Sequence, residues 1–82
     1  MKVRVLVSFK DSVLDPQGQT VMNALHTLGY GSVRDVRQGK VFDIALENLT
    51  KKEAETLVPE IARKVLANPI IEKFVWQFIE SE

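Results

Sequence analysis

Few side chains in this sequence could do covalent or acid–base chemistry. His26 is the single histidine, and there is no cysteine. A thiol nucleophile, a disulfide and a thiolate metal site are therefore excluded. A catalytic histidine needs a nucleophile or carboxylate beside it. His26 lies off the apolar stripe set by Leu25 and Leu28, near Met22, with no such neighbour at useful spacing. It reads as a surface histidine. No group of histidines and carboxylates has metal-ligand spacing. The phosphate-cradling patterns G-x-x-x-x-G-K-S/T and G-x-G-x-x-G do not occur; Gly18 and Gly39 stand alone.

Three polar segments remain. Asp15-Pro16-Gln17-Gly18 can cap a helix, with Asp15 accepting backbone N–H groups and Pro16 at the first helical position. It can also dock on a partner. Arg37-Gln38-Gly39-Lys40 places two cations together, where a phosphate or an acidic partner could sit. A solvated hairpin explains it somewhat better on sequence alone. Asn68-Pro69-Ile70-Ile71-Glu72 ends a helix and leads into a strand, which is sufficient by itself.

The elements around these segments follow from periodicity. Val3, Val5, Val7 and Phe9 alternate with Lys2, Arg4, Leu6 and Ser8, a strand pattern. Val21, Met22, Leu25 and Leu28 share one helical face, and Gly29 is a natural stop. Val33 to Arg37 and Val41 to Glu47 are expected as two strands joined by a turn at Gln38-Gly39-Lys40, with Gly39 at positive φ. Thr50-Lys51-Lys52-Glu53 is a capping box with Leu49 as its staple. Leu57, Val58, Ile61, Ala62, Val65 and Leu66 form a second helical stripe, in which Pro59 should introduce a kink. Ile70 to Ile79 is a last strand.

The order β-α-β-β-α-β predicts an α+β, ferredoxin-like two-layer sandwich, an antiparallel sheet with two helices on one face. The whole chain, residues 1–82, reads as one domain. Such a small core supplies little net stability, and without disulfides or metal the remaining staple is oligomerisation. Lys plus Arg number 11 and Asp plus Glu number 11, which gives no electrostatic footprint for nucleic acid. No apolar run approaches the roughly 20 residues of a membrane span, and no leader pattern precedes the first strand. A cytoplasmic protein is expected.

The sheet face turned away from the helices should carry Leu6, Val41, Ala45, Val75 and Ile79. Leaving large aliphatics in water forgoes about 1.5–3 kcal/mol each. We therefore expect self-association through this face, as a dimer or a dimer of dimers. Scattered surface apolars are the alternative explanation.

The three polar segments also carry a family resemblance. Asp15-Pro16-x-Gly18, Val36-Arg37-x-Gly39-Lys40 and Leu66-Ala67-Asn68-Pro69-x-Ile71-Glu72, in this order, resemble the PurS family. That family is the small subunit of bacterial and archaeal phosphoribosylformylglycinamidine synthase. The resemblance spans nearly the whole chain; Pro59 is outside its pattern. It implies a role in purine biosynthesis, as a non-catalytic subunit of an ATP-dependent ligase complex that uses glutamine as amido donor. The complex converts formylglycinamide ribonucleotide to formylglycinamidine ribonucleotide. The small subunit would bridge a glutaminase subunit and a large synthetase subunit and aid ammonia transfer. ATP and Mg would be held by the synthetase subunit, with no cofactor on this chain. The expected partner contacts are Asp15, Pro16, Gln17, Gly18, Arg37, Gly39, Lys40, Asn68, Pro69 and Glu72.

Two other classes of function compete. A ferredoxin-like small-molecule-binding regulatory module would bind its ligand at a dimer interface. An acylphosphatase-like enzyme would need a phosphate-cradling loop after the first strand. There the segment Phe9 to Asp15 has no glycine and two acidic residues, which disfavours an anion.

Overall fold

A computed structural model describes residues 1–79. Strand β1 spans Lys2–Phe9, helix α1 Pro16–Thr27, strand β2 Gly39–Ala45, helix α2 Lys51–Ile61 and strand β3 Glu72–Ile79. The sheet is antiparallel, in the order β2-β1-β3. The arrangement is ferredoxin-like as expected, with three strands where the order β-α-β-β-α-β gives four.

Register sorts the side chains onto two faces. Val3 lies opposite Ile44 and Phe78, Val5 opposite Phe42 and Trp76, and Val7 opposite Phe74. With Ala54, Val58, Ala62 and Ala67 from the second helical region, the three valines form the buried core. The period-2 alternation of β1 thus delivers every other residue to α2.

Both helices start as their sequences dictate. In α2, Thr50 accepts from the backbone N–H of Glu53 at 3.1 Å, and Glu53 accepts from that of Thr50 at 2.9 Å. The helix runs on through Pro59 to Ile61. It then loosens into a π turn over Ala62–Leu66, where the Ala67 N–H reaches back five residues to the Ala62 carbonyl. In α1, Leu28 is the C-cap and Gly29 adopts φ 97°. The N–H of Gly29 bonds His26 and that of Tyr30 bonds Leu25, which is a Schellman ending.

Two local expectations fail. Residues 33–38 form no strand, so no hairpin precedes β2. Gly39 does not turn the chain at positive φ; it opens β2. Its lack of a side chain is needed for another reason. A Cβ there would lie 2.6 Å from the Val7 carbonyl oxygen.

The chain is also less folded upon itself than a sandwich of this length would be. Its radius of gyration is 16.1 Å, whereas a compact 82-residue domain has about 12 Å. Only Gly18 of α1 is buried, and no α1 side chain joins the core. Among the described residues, α2 alone covers the inner face of the sheet.

Candidate functional site

The three polar segments are far apart in sequence, yet the structure brings them to one end of the sheet. A cleft of about 260 Å³ there is lined by Gln17, Gln38, Gly39, Lys40 and Glu72, with Val7, Ser8 and Phe9 from the end of β1. Each polar segment thus contributes at least one residue.

Asp15 organises the first two segments. It is 3% exposed. One carboxylate oxygen accepts from the Gly18 N–H at 2.9 Å, capping α1, and the other accepts from the Gln38 N–H at 2.6 Å. Those two N–H groups, Gly18 first and Gln38 second, hold the Asp15 carboxyl below the usual carboxylate range against the opposing effect of burial. Gly18 itself is packed against the returning chain, where a Cβ would sit 2.2 Å from the Val36 carbonyl oxygen. One position over, the Gln38 side-chain amide donates to Gln17 at 2.8 Å.

Arg37 ties the same unit to the end of β1. Its guanidinium donates to the carbonyls of Lys10 at 3.0 Å and Val13 at 2.7 Å. This cation is therefore spent on structure more than on presentation. Lys40 is freer: its ammonium stands 3.7 Å from Glu72 Oε2, with the lysine well exposed.

The third segment is a self-bonded loop. The Asn68 N–H donates to Glu72 Oε1 at 2.7 Å, and the Ile70 N–H to Asn68 Oδ1 at 3.1 Å. Glu72 faces the cleft while holding that loop closed. Pro69 and Ile70 are exposed on the loop; Leu14 is likewise exposed in the segment preceding α1. The end of the domain is thus a rigid polar surface with apolar tips.

His26 lies elsewhere. Its Nε2 is 2.7 Å from the Val33 carbonyl, fastening the end of α1 to the chain that follows. The sequence pattern could not reveal Lys10 and Val13, because both act through backbone carbonyls. Nor does it reveal Ser8, which reaches the cleft only through register.

On the outer sheet face, Leu6 lies between Val41 and Val75 across the three strands. The two flanking valines are 57% and 64% exposed. Ala45 and Ile79 flank Lys2 four residues further along. Between these rows, Arg4 and Asp43 form a two-pronged ion pair at 2.8 and 3.2 Å.

The three segments thus meet in one hydrogen-bonded cleft at the end of a small ferredoxin-like domain. The chain belongs to the PurS family of phosphoribosylformylglycinamidine (FGAM) synthase, whose sequence pattern matches residues 2–80. It is 44% identical over 79 residues to the PurS subunit of phosphoribosylformylglycinamidine synthase from Bacillus subtilis, covering 96% of this chain and 93% of that protein. Its backbone superposes on Bacillus subtilis PurS in a C2 crystal form with a TM-score of 0.85, over 96% of this chain and 98% of that one. It superposes equally, at 0.85 and 26% identity, on a chain of the PurLQS structure from Thermotoga maritima, covering 95% of each. The family expected from the sequence is thereby shown over residues 2–80.

Proposed function

We propose that this chain is a non-catalytic subunit of a phosphoribosylformylglycinamidine synthase complex. In this reading it bridges a glutaminase subunit and a large synthetase subunit and helps ammonia pass between them. ATP and Mg belong to the synthetase subunit. The chain works in the cytoplasm and associates with itself, with the outer face of Leu6, Val41, Ala45, Val75 and Ile79 as one contact surface.

The observation that carries this reading is the convergence of the three family segments on one cleft. Gln17, Lys40 and Glu72 come from three parts of the chain and meet there. Their hydrogen bonds are mostly internal, which suits a shape held ready for a partner. Bridging contributes by setting two reaction centres in fixed relation and by keeping a protonatable intermediate away from water. The residues assigned to partner contact are Asp15, Pro16, Gln17, Gly18, Arg37, Gly39, Lys40, Asn68, Pro69 and Glu72; of these Asp15 and Gly18 are buried and, with Arg37, act by holding the others in place.

Co-purification with a glutaminase and a synthetase subunit, followed by mass measurement with and without glutamine and nucleotide, tests the reading. A complex containing all three chains supports it. Failure of this chain to join either subunit under any of these conditions contradicts it.

A further inference from the structure

We infer that a hollow adjoining the cleft at Glu72 is a second docking site, which takes an acidic segment of a partner subunit with an apolar side chain beside its carboxylates. The inference rests on the bridging reading, since a bridge needs two contact surfaces, and it assigns the second of them.

The hollow has a volume of about 290 Å³ and is lined by Arg63, Ala67, Pro69, Glu72, Lys73 and Phe74. Glu72 also lines the cleft, so the two depressions share that residue. Its carboxylate is already engaged. Oε1 accepts from the Asn68 N–H at 2.7 Å, and Oε2 stands 3.7 Å from the Lys40 ammonium of the cleft. The hollow therefore offers a partner two cations, Arg63 and Lys73, over an apolar floor.

Neither cation is tied down. Arg63 is exposed and makes no ion pair among the described residues. The carboxylate of Glu60 is taken by Lys64 at 2.6 Å. Lys73 holds Asp11 at 2.8 Å, but the Asp11 side chain is 93% exposed. So open a pair is weak and readily exchanged. Asp11 shows that a carboxylate fits the Lys73 ammonium. A partner carboxylate that also met the Arg63 fork would displace it.

The apolar floor is fixed. Ala67 is buried, and Phe74 packs against the core. Val65 and Ile70, on either side of Ala67 and Pro69 in the chain, are 77% and 79% exposed. Exposed apolar groups beside accessible cations suit a protein-docking rim. The loop is held in advance, because the Ile71 and Glu72 N–H groups both donate to the Asn68 carbonyl, at 3.1 and 2.7 Å. Little ordering is left to oppose binding. With one subunit in the cleft and another in the hollow, the two meet at Glu72 in a fixed relation.

The test assembles the full chain with the glutaminase and synthetase subunits in glutamine and nucleotide. Intact mass gives the composition. Carbodiimide coupling, which joins a lysine amine to a touching carboxylate as an amide with loss of water, gives the contact. In the isolated chain Lys73 should couple to Asp11; in the complex it should couple to an acidic residue of one large subunit. R63E/K73E should weaken retention of that subunit by about tenfold or more and leave the other bound. K64Q, beside the hollow but outside its lining, should change neither. Both substituted cations are exposed, so circular dichroism should be unchanged; if glutamate disturbs the fold, R63Q/K73Q reads the same loss. An unmodified chain that joins neither subunit overturns the bridging reading and the inference with it. A complex that forms while Lys73 couples only to Asp11 or to a second copy overturns the inference alone. So does a complex whose charge variants keep both subunits, or one that K64Q weakens equally.

Discussion

Asp15 and Gln38 are 23 residues apart, and a 2.6 Å hydrogen bond from the Gln38 backbone to the Asp15 carboxylate joins them. The same carboxylate caps α1. One side chain therefore fixes both the helix start and the chain that returns to β2. Asp15→Ala should lower the melting temperature by several degrees and weaken partner association as well. Asp15→Asn should recover only part of this, because one amide oxygen cannot replace two carboxylate acceptors. Thermal melts of both variants, beside a pull-down with the large subunits, check this.

Gly18 and Gly39 hold their places by close approach to backbone. A methyl at Gly18 meets the Val36 carbonyl oxygen at 2.2 Å and one at Gly39 meets that of Val7 at 2.6 Å. Neither obstacle can rotate away. Gly18→Ala and Gly39→Ala should each cost about 1–3 kcal/mol in chemical denaturation. Gly31→Ala, where a Cβ would meet nothing within 4 Å, should be close to neutral.

Lys40 is exposed, and its pairing with Glu72 at 3.7 Å is loose. Exposed pairs of this kind contribute about 0–1 kcal/mol. Lys40→Ala should leave the melting curve almost unchanged while weakening the complex with the partner subunits by roughly tenfold. A binding titration at two salt concentrations reads this, with the weakening smaller at high salt.

The pH dependence follows from lowered carboxyl groups. Asp15 is held down by the Gly18 and Gln38 N–H groups, and Glu53 by the Thr50 backbone and hydroxyl. Asp43 is held down by Arg4 and Asp11 by Lys73. A carboxyl that is more acidic in the folded state binds fewer protons there than when unfolded. Stability is therefore full above the unfolded values near pH 4 and falls as pH drops through the lower folded values. Melting temperature should be flat from neutral pH to about pH 5 and then decline. Asp15→Asn should flatten part of that decline.

Much of the fold can be read from the sequence because local and tertiary preferences agree. The valines of β1, the capping box at Thr50 and the Gly29 stop each do what their pattern requires. The segment from Val33 to Gln38 does not. Its β-branched residues suggest a strand, but Asp15 takes the Gln38 N–H and Arg37 reaches to Lys10 and Val13. Side-chain bonds from distant residues thus outweigh local propensity. The three polar segments are legible as motifs, whereas their meeting at one cleft depends on sheet register. The exposure of α1 leaves no local trace, since its apolar stripe reads the same whether or not the sheet covers it.

The most direct test of the account is glutamine-dependent synthesis of formylglycinamidine ribonucleotide by the reconstituted subunits, with and without this chain. The account predicts that omitting the chain abolishes the glutamine-dependent rate and that adding it back restores it. Full glutamine-dependent activity from the glutaminase and synthetase subunits alone would contradict it.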